Sequence, residues 1–310
     1  MRNEREYLRK EQYGHAGNLG ARIRLHQEFT QADETWNQYV KRVLAIQEGE
    51  TVFEMGSGSL YFWREMLPVL PQDFHALLSD LALGILSEGK AALGVDQRVQ
   101  AAVMDAQTIG ARGGSFDLVI ANHMLYHVPD PQQAINEAAR LLKPDGRMVA
   151  ITNGAGHMRQ LDELLQRFTG TGVKPHHFHT PFTVENGRPR IEAAFADVEY
   201  IPYQSHLWVT EAAVLVDYAA SMDGSILDRD QLIGDFQALI DRDGGGKSTR
   251  FRGRSSHASP GSNEAWVQPQ ARKRFILCPR SQRWSRWKAG RNKARMESDC
   301  SCAGTPITSG

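Results

Sequence analysis

The sequence predicts an α/β fold, a doubly wound and mostly parallel sheet, from three observations. Between residues 51 and 152 one grammar repeats: a short apolar run closes on an acidic or small residue and a helical segment follows, as in strands joined by crossover helices. A glycine-rich turn comes directly after the first of these runs. Beyond Asp243 the hydrophobic periodicity stops, and Ser, Gly, Arg and isolated Trp take over. The division that follows is a helical cover over 1–46, a main domain over 47–243 and a basic, disordered tail over 244–310.

Taken in order, Ile23, Leu25 and Phe29, then Trp36, Tyr39, Val40, Val43 and Leu44, recur at helical spacing and predict two helices ahead of the sheet. The predicted strands are Thr51–Met55, Ala76–Asp80, Val99–Met104, Phe116–Ala121 and Arg147–Thr152, with a sixth over Val198–Tyr203. Asp130 as N-cap with Pro131 behind it opens a helix, which stops before the turn sequence Lys143-Pro144-Asp145-Gly146. Further helices are predicted over Met158–Phe168, Glu211–Ala220 and Gln231–Ile240.

Net charge is zero, which removes any overall electrostatic attraction to nucleic acid or an anionic membrane. The balance is uneven, however. From Gly244 onward 14 Lys and Arg face three acids, so the first 243 residues carry −11 against the tail's +11. Cys278, Cys300 and Cys302 all lie in that tail, which excludes a catalytic thiolate or a cysteine-ligated cluster from the main domain. The charged start Met1-Arg2-Asn3-Glu4-Arg5-Glu6 leads into no signal-peptide run, and no apolar stretch is long enough to span a bilayer. The expectation is a cytoplasmic protein without a membrane partner.

The chemistry is concentrated at the ends of the predicted strands. Glu54-Met55-Gly56-Ser57-Gly58-Ser59-Leu60 gives a turn on which ligand atoms can approach the backbone where a Cβ would collide. Asp80, with Leu81 behind it, ends the next strand, where a carboxylate can accept from both hydroxyls of a ribose. Asp105-Ala106-Gln107 ends the third, and Asn122 follows the fourth. Ligands of open α/β sheets bind at the carboxyl ends of strands where the strand order reverses, so these anchors define one crevice.

In order and spacing, Glu54-x-Gly56-x-Gly58, Asp80, Asp105-Ala106-Gln107, Ser115-Phe116-Asp117-Leu118-Val119 and Leu141-Leu142-Lys143-Pro144-Asp145-Gly146-Arg147 resemble the motifs of class I S-adenosylmethionine-dependent methyltransferases, a Rossmann-like fold, and most of all their type 11, ubiquinone-biosynthesis-like branch. The resemblance covers roughly residues 10–220. It implies S-adenosyl-L-methionine as cofactor, held by Glu54, Gly56, Ser57, Gly58, Asp80, Leu81, Asp105, Ala106 and Asn122, and a small-molecule N, O or C methyl acceptor. It places Gly56 and Gly58 against the methionine part, Asp80 at the ribose, and Asp105 with Ala106 at the adenine. The segment Asn122–Asp130 would lie near the sulfonium, with Tyr13 and Asn18–Arg22 in a cover. A seventh, antiparallel strand is expected. Only Arg274–Cys278 offers an apolar run for it, and without it the sheet keeps an open edge. Many members also have a glycine where this chain has Leu60, a bulk that would crowd the turn.

His123 and His127 are the candidate catalytic bases, since an imidazole titrating near ~6.5 can take a proton from an acceptor. Against that, methyl transfer from a sulfonium can proceed by positioning alone, and either His can serve the loop backbone. His176-His177-x-His179 lacks a carboxylate partner, so no metal is expected. His26 reads as a packing residue, and Tyr61, Phe62 and Trp63 as core. A dehydrogenase would need a glycine where Tyr61 stands. The cations and tryptophans of Arg272–Lys288 leave open an RNA-associated methyltransferase, although a solvated tail explains them as well. Leu60 and the missing strand leave open an inactive cofactor-binding protein.

Overall fold

A computed structural model describes residues 17–169, 182–222, 228–243 and 274–282. Tyr13, the His176–His179 cluster and all of the tail except 274–282 lie outside them. Helices α1 (Gly17–Phe29) and α2 (Trp36–Leu44) precede the main sheet and flank the two-residue strand β1 (Thr30–Gln31). The α2 helix starts where the sequence can satisfy its free amides: the Thr35 side chain accepts from Gln38 N–H, and the Gln38 side chain returns to the Thr35 N–H.

Then come β2 (Glu50–Met55), α3 (Tyr61–Met66), β3 (Phe74–Asp80), α4 (Leu83–Leu93), β4 (Val99–Val103), β5 (Phe116–Asn122), α5 (Pro131–Leu141) and β6 (Leu142–Asn153). After these run α6 (Arg159–Thr169), α7 (Val184–Glu192), β7 (Asp197–Tyr200), β8 (Tyr203–Leu207), α8 (Ala212–Met222), α9 (Arg229–Asp243) and β9 (Arg274–Gln282). The sheet order is β1-β8-β9-β6-β5-β2-β3-β4, with β7 also paired to β9. All pairings are parallel except β1 with β8. Strand order reverses between β2 and β5, because the chain moves outward from β2 through β3 to β4 and then returns to β2's other side.

Alternation along the strands divides the core. Val52, Ile120, Val149 and Ile151 face α2, α3 and α4, packing with Tyr39, Trp63 and Leu86. Phe53, Val119, Met148 and Ala150 face α5 and α7, packing with Ile135 and Ile191. A third cluster joins α1, α6, α8 and α9 through Leu25, Leu161, Leu215 and Phe236.

Two of the motifs brace the amino-terminal ends of the strands. The Asp117 carboxylate accepts from Thr51 N–H (2.8 Å) and pairs with Lys143 (2.7 Å). Its burial works against ionisation, but the bonds from Lys143 and Thr51 outweigh it and hold the pKa below the usual range. Gly146 lets β6 approach β5, since a Cβ there would sit 3.0 Å from the Phe116 carbonyl oxygen.

Several expectations change. The sequence 143–146 is an irregular stretch within β6 rather than a turn before it: Leu142 and Arg147 pair with Phe116 and Leu118, so the surplus residues bulge out. The sixth predicted strand is two, β7 and β8, separated at Ile201-Pro202, where proline has no N–H for the ladder. Helix α7 and strand β1 are additions. The largest correction concerns the tail, which is not disordered throughout. Residues Arg274–Gln282 form β9 between β6 and β7/β8, so β6 has no open edge, and β9 runs parallel where an antiparallel strand was expected. The physical reason is the demand of β6 for a partner along Arg147–Asn153, which β9 meets residue for residue.

Candidate active site

The turn after β2 is built from left-handed backbone. Gly56 has φ +66° and Gly58 φ +55°, and Leu60, the N-cap of α3, takes φ +52° without being glycine. Leu60 does not crowd the crevice. Its side chain is buried in the first core cluster, and room for it comes from α4: a Cβ on Gly89 would stand 2.5 Å from the Ser59 backbone and 3.0 Å from Leu60. The glycine missing at position 60 is thus compensated at position 89. An isolated glycine within a helical pattern was the available signal.

The two other glycines differ. A Cβ on Gly56 would meet Met124 Cβ at 2.6 Å, so this glycine admits the Met124 side chain across the turn. Gly58 has open space where its Cβ would be, and its N–H donates to Asp80 Oδ2 at 2.9 Å. Asp80 Oδ1 accepts from Ala82 N–H at 2.8 Å. Burial raises the pKa of Asp80, and these backbone donors act against the rise. Each carboxylate oxygen keeps a lone pair beyond the bond described, enough for two hydroxyls.

Asp105 stands on the adjoining strand end, tied to Asp80 through Met104 N–H donating to the Asp80 carbonyl at 3.0 Å. Its carboxylate accepts from Gln107 N–H at 2.9 Å, and the Gln107 side-chain oxygen accepts from Asp130 N–H at 3.0 Å, which fixes this turn to the start of α5. Leu81 and Val103 are exposed large hydrophobics at 41% and 49%, so an apolar ledge adjoins the two acids. Ala106 packs against the second core cluster.

Glu54 lies elsewhere than the sequence suggested for a ligand-holding acid. It is 2% exposed and accepts a hydrogen bond from the Trp63 indole N–H, fastening α3 to β2. Its pKa is pushed up to about 7: burial dominates, Trp63 and Ser57 oppose it, and the Asp80 charge adds to it.

On the other side of the reversal point, Asn122 Oδ1 is buried with no hydrogen-bond partner. Such atoms are costly unless something fills the crevice beside them. His123 follows in left-handed backbone (φ +54°), its N–H donating to the Ile151 carbonyl at 2.9 Å and its ring 5.6 Å from Trp36. His127 ends a 3-10 turn, Leu125–His127, with its ring edge-on to Tyr126 at 4.5 Å. His26 stacks on His157 at 5.9 Å, a packing contact. Among the described residues there is no cluster of His, Cys, Asp or Glu suited to a metal, and no helix is long and apolar enough to cross a membrane.

The model of the methyltransferase domain family of type 11 matches residues 53–150, the stretch that carries β2 to β6 and the glycine turn. A demethylmenaquinone methyltransferase of Clavibacter sepedonicus is 28% identical over 117 residues, covering 38% of this chain and 46% of the relative. A phosphoethanolamine N-methyltransferase 2 of Caenorhabditis elegans is 26% identical over 129 residues, covering 40% and 28%. The chain thus spans less than half the length of these curated relatives. Among solved structures, a phosphoethanolamine N-methyltransferase 2 of Haemonchus contortus in complex with phosphomonomethylethanolamine and S-adenosylhomocysteine matches at TM-score 0.50 and 16% identity, covering 81% of this chain and 59% of that one. That likeness establishes the methyltransferase fold.

Proposed function

We propose that the chain is an S-adenosyl-L-methionine-dependent methyltransferase acting on a small-molecule acceptor. The observation that carries the reading is the direct bond from Gly58 N–H to Asp80, which brings the glycine turn and this acid together and so supports a ligand shared between them. The residues fit the cofactor. Asp80 has lone pairs for two ribose hydroxyls, the ledge of Leu81 and Val103 beside Asp105 suits a flat adenine, and Gly58 leaves space for a ligand. Glu54 serves this site indirectly, by anchoring α3 behind the turn.

When bound, S-adenosyl-L-methionine supplies a methyl group on a sulfonium. The chain's own residues then have to align the acceptor and exclude water. With the methyl carbon taken by the acceptor's lone pair and the carbon–sulfur electrons left on sulfur, an N–H or O–H acceptor would have a proton to release. His123, next to Asn122, and His127, at the end of the 3-10 turn that follows, are the proposed receivers of that proton. Leu60 and the doubtful last strand were the grounds for an inactive reading. Gly89 and β9 answer both. The reading also takes the protein as cytoplasmic and assigns nucleic acid no part.

Calorimetry with S-adenosylhomocysteine tests the reading. Asp80→Ala removes two charge-assisted hydrogen bonds to the ribose, which together contribute ~3 kcal/mol, so affinity should fall about a hundredfold. Unchanged affinity in the variant, or no binding by the wild-type chain, would sink it.

A further inference from the structure

The unpaired buried oxygens do not end at Asn122. Asn153 Oδ1, Ser205 Oγ and Thr30 Oγ1 are likewise buried without a hydrogen-bond partner. Strand register puts all of them on one face. Asn122 pairs with Ile151, and Asn153 lies two residues on, so both point to the same side of the sheet. Asn153 and Tyr203 both pair with Arg280 of β9, which carries that side across to β8. Ser205 and Leu207 follow Tyr203 at the strand period, and Thr30 pairs with Leu207.

The result is a diagonal row of polar atoms, from the ends of β5 and β6 to the middle of β8 and the start of β1, in which Ser205 is level with Gln282 and so two positions beyond Asn153. Trp36 of α2 lies 5.6 Å from His123, next to Asn122, and 5.1 Å from Tyr203, so its ring packs on this face between β5 and β8. Ser205 is only 5% exposed. In the open depression lined by Gln107, Ile109, Glu137 and Arg140, by contrast, the Arg140 guanidinium bonds to Glu137 and to the Ile109 and Ala111 carbonyls. One unmatched buried oxygen is tolerable, but those of Asn122 and Asn153 on adjoining strand ends, with Ser205 farther along the same face, call for a ligand with several donors.

We infer that this row is the acceptor subsite, and that it takes a water-soluble amine or alcohol carrying several N–H or O–H donors rather than an apolar ring or chain. The inference rests on the methyltransferase reading above and deepens it. Asn153 is its specificity-determining residue, presenting a carbonyl oxygen to a donor of the acceptor. The reacting nitrogen or oxygen gives its lone pair to the methyl carbon and loses its proton to His123, His127 or water.

The test uses the full chain, S-adenosylmethionine with a labelled methyl group, and a small-molecule extract separated into water-soluble and organic-soluble fractions. Label should enter the water-soluble fraction. Asn153→Leu should lower that transfer about tenfold or more, from a lost buried hydrogen bond, with S-adenosylhomocysteine affinity within about twofold of wild type. Its melting temperature should hold or rise, because an orphaned polar group has been replaced by an apolar one. Label confined to the organic fraction, or Asn153→Leu transferring at the wild-type rate, overturns the inference while leaving the cofactor reading intact. Loss of cofactor binding in the wild type overturns both. Should Asn153→Leu fail to fold, Ser205→Ala carries the same two measurements with a smaller loss of transfer, and wild-type transfer by that variant overturns the inference.

Discussion

The two halves of the crevice satisfy their polar groups in opposite ways. At the ends of β2, β3 and β4, Asp80 already accepts from Gly58 and Ala82, and Asp105 from Gln107. Along β5, β6, β8 and β1, the oxygens of Asn122, Asn153, Ser205 and Thr30 have nothing. The first half is held in shape by the chain's own backbone and needs its ligand only to use what lone pairs remain. Such preorganisation suits a ligand that is the same in every turnover. In the second half the groups are left unmet, which costs stability and keeps binding energy in reserve for the acceptor.

If the cofactor half is rigid because its turn is packed from behind, the most damaging change lies outside the crevice. Gly89→Ala puts a methyl group 2.5 Å from the Ser59 carbonyl, and the neighbour is backbone, not a flexible side-chain end. Overpacking of this kind costs about 3 kcal/mol. Urea unfolding should show that loss, and cofactor affinity should fall with it as the turn shifts. A variant as stable as wild type would mean that the turn is not braced by α4.

Glu54 gives an effect of intermediate size that depends on pH. Its pKa rises from an ordinary 4.5 to about 7 in the folded chain, mainly through burial. Below pH 4.5 the group is neutral in both states and costs nothing. Between 4.5 and 7 the unfolded chain ionises first, so the folded state becomes less favoured as pH rises, and above 7 the loss is complete. The full displacement corresponds to ~3 kcal/mol, and relaxation around the site reduces this to about 2 kcal/mol. In Glu54→Gln, whose amide oxygen can still accept from Trp63, the fall in unfolding free energy between pH 5 and pH 8 should shrink by that amount. Parallel pH profiles for variant and wild type would contradict the buried, raised carboxyl.

The same contrast explains what was legible in the sequence. Asp80, Gly58, Asp105 and the Asp130 cap act on backbone within a few residues or on the adjoining strand end, so their spacing carried their meaning. Gly89 works through space on Ser59, and Glu54 through Trp63, and neither partner is fixed by spacing alone. Met124 over Gly56 was hidden for the same reason. The acceptor row was not legible at all, because its members come from residues 30 to 205 and are put on one face only by the registers of β6 with β5, β9 with β6 and β8, and β1 with β8. That strand was the one the sequence left in doubt: its parallel direction depends on where the chain returns, which composition does not specify.

Thr30 sharpens the comparison at its far end, where the effect is smallest. Its hydroxyl oxygen is buried and unpaired beside Leu207, at the junction of the row with the cover helix α1. Thr30→Val keeps the shape and removes the unmet group, so stability should rise by about 0.5–1 kcal/mol. Thermal unfolding would show an upward shift of a few degrees at most, with S-adenosylhomocysteine binding untouched because Thr30 faces the other half. A lower melting temperature would show that the hydroxyl has a partner in the folded chain, and that the row of unmet oxygens stops at Ser205.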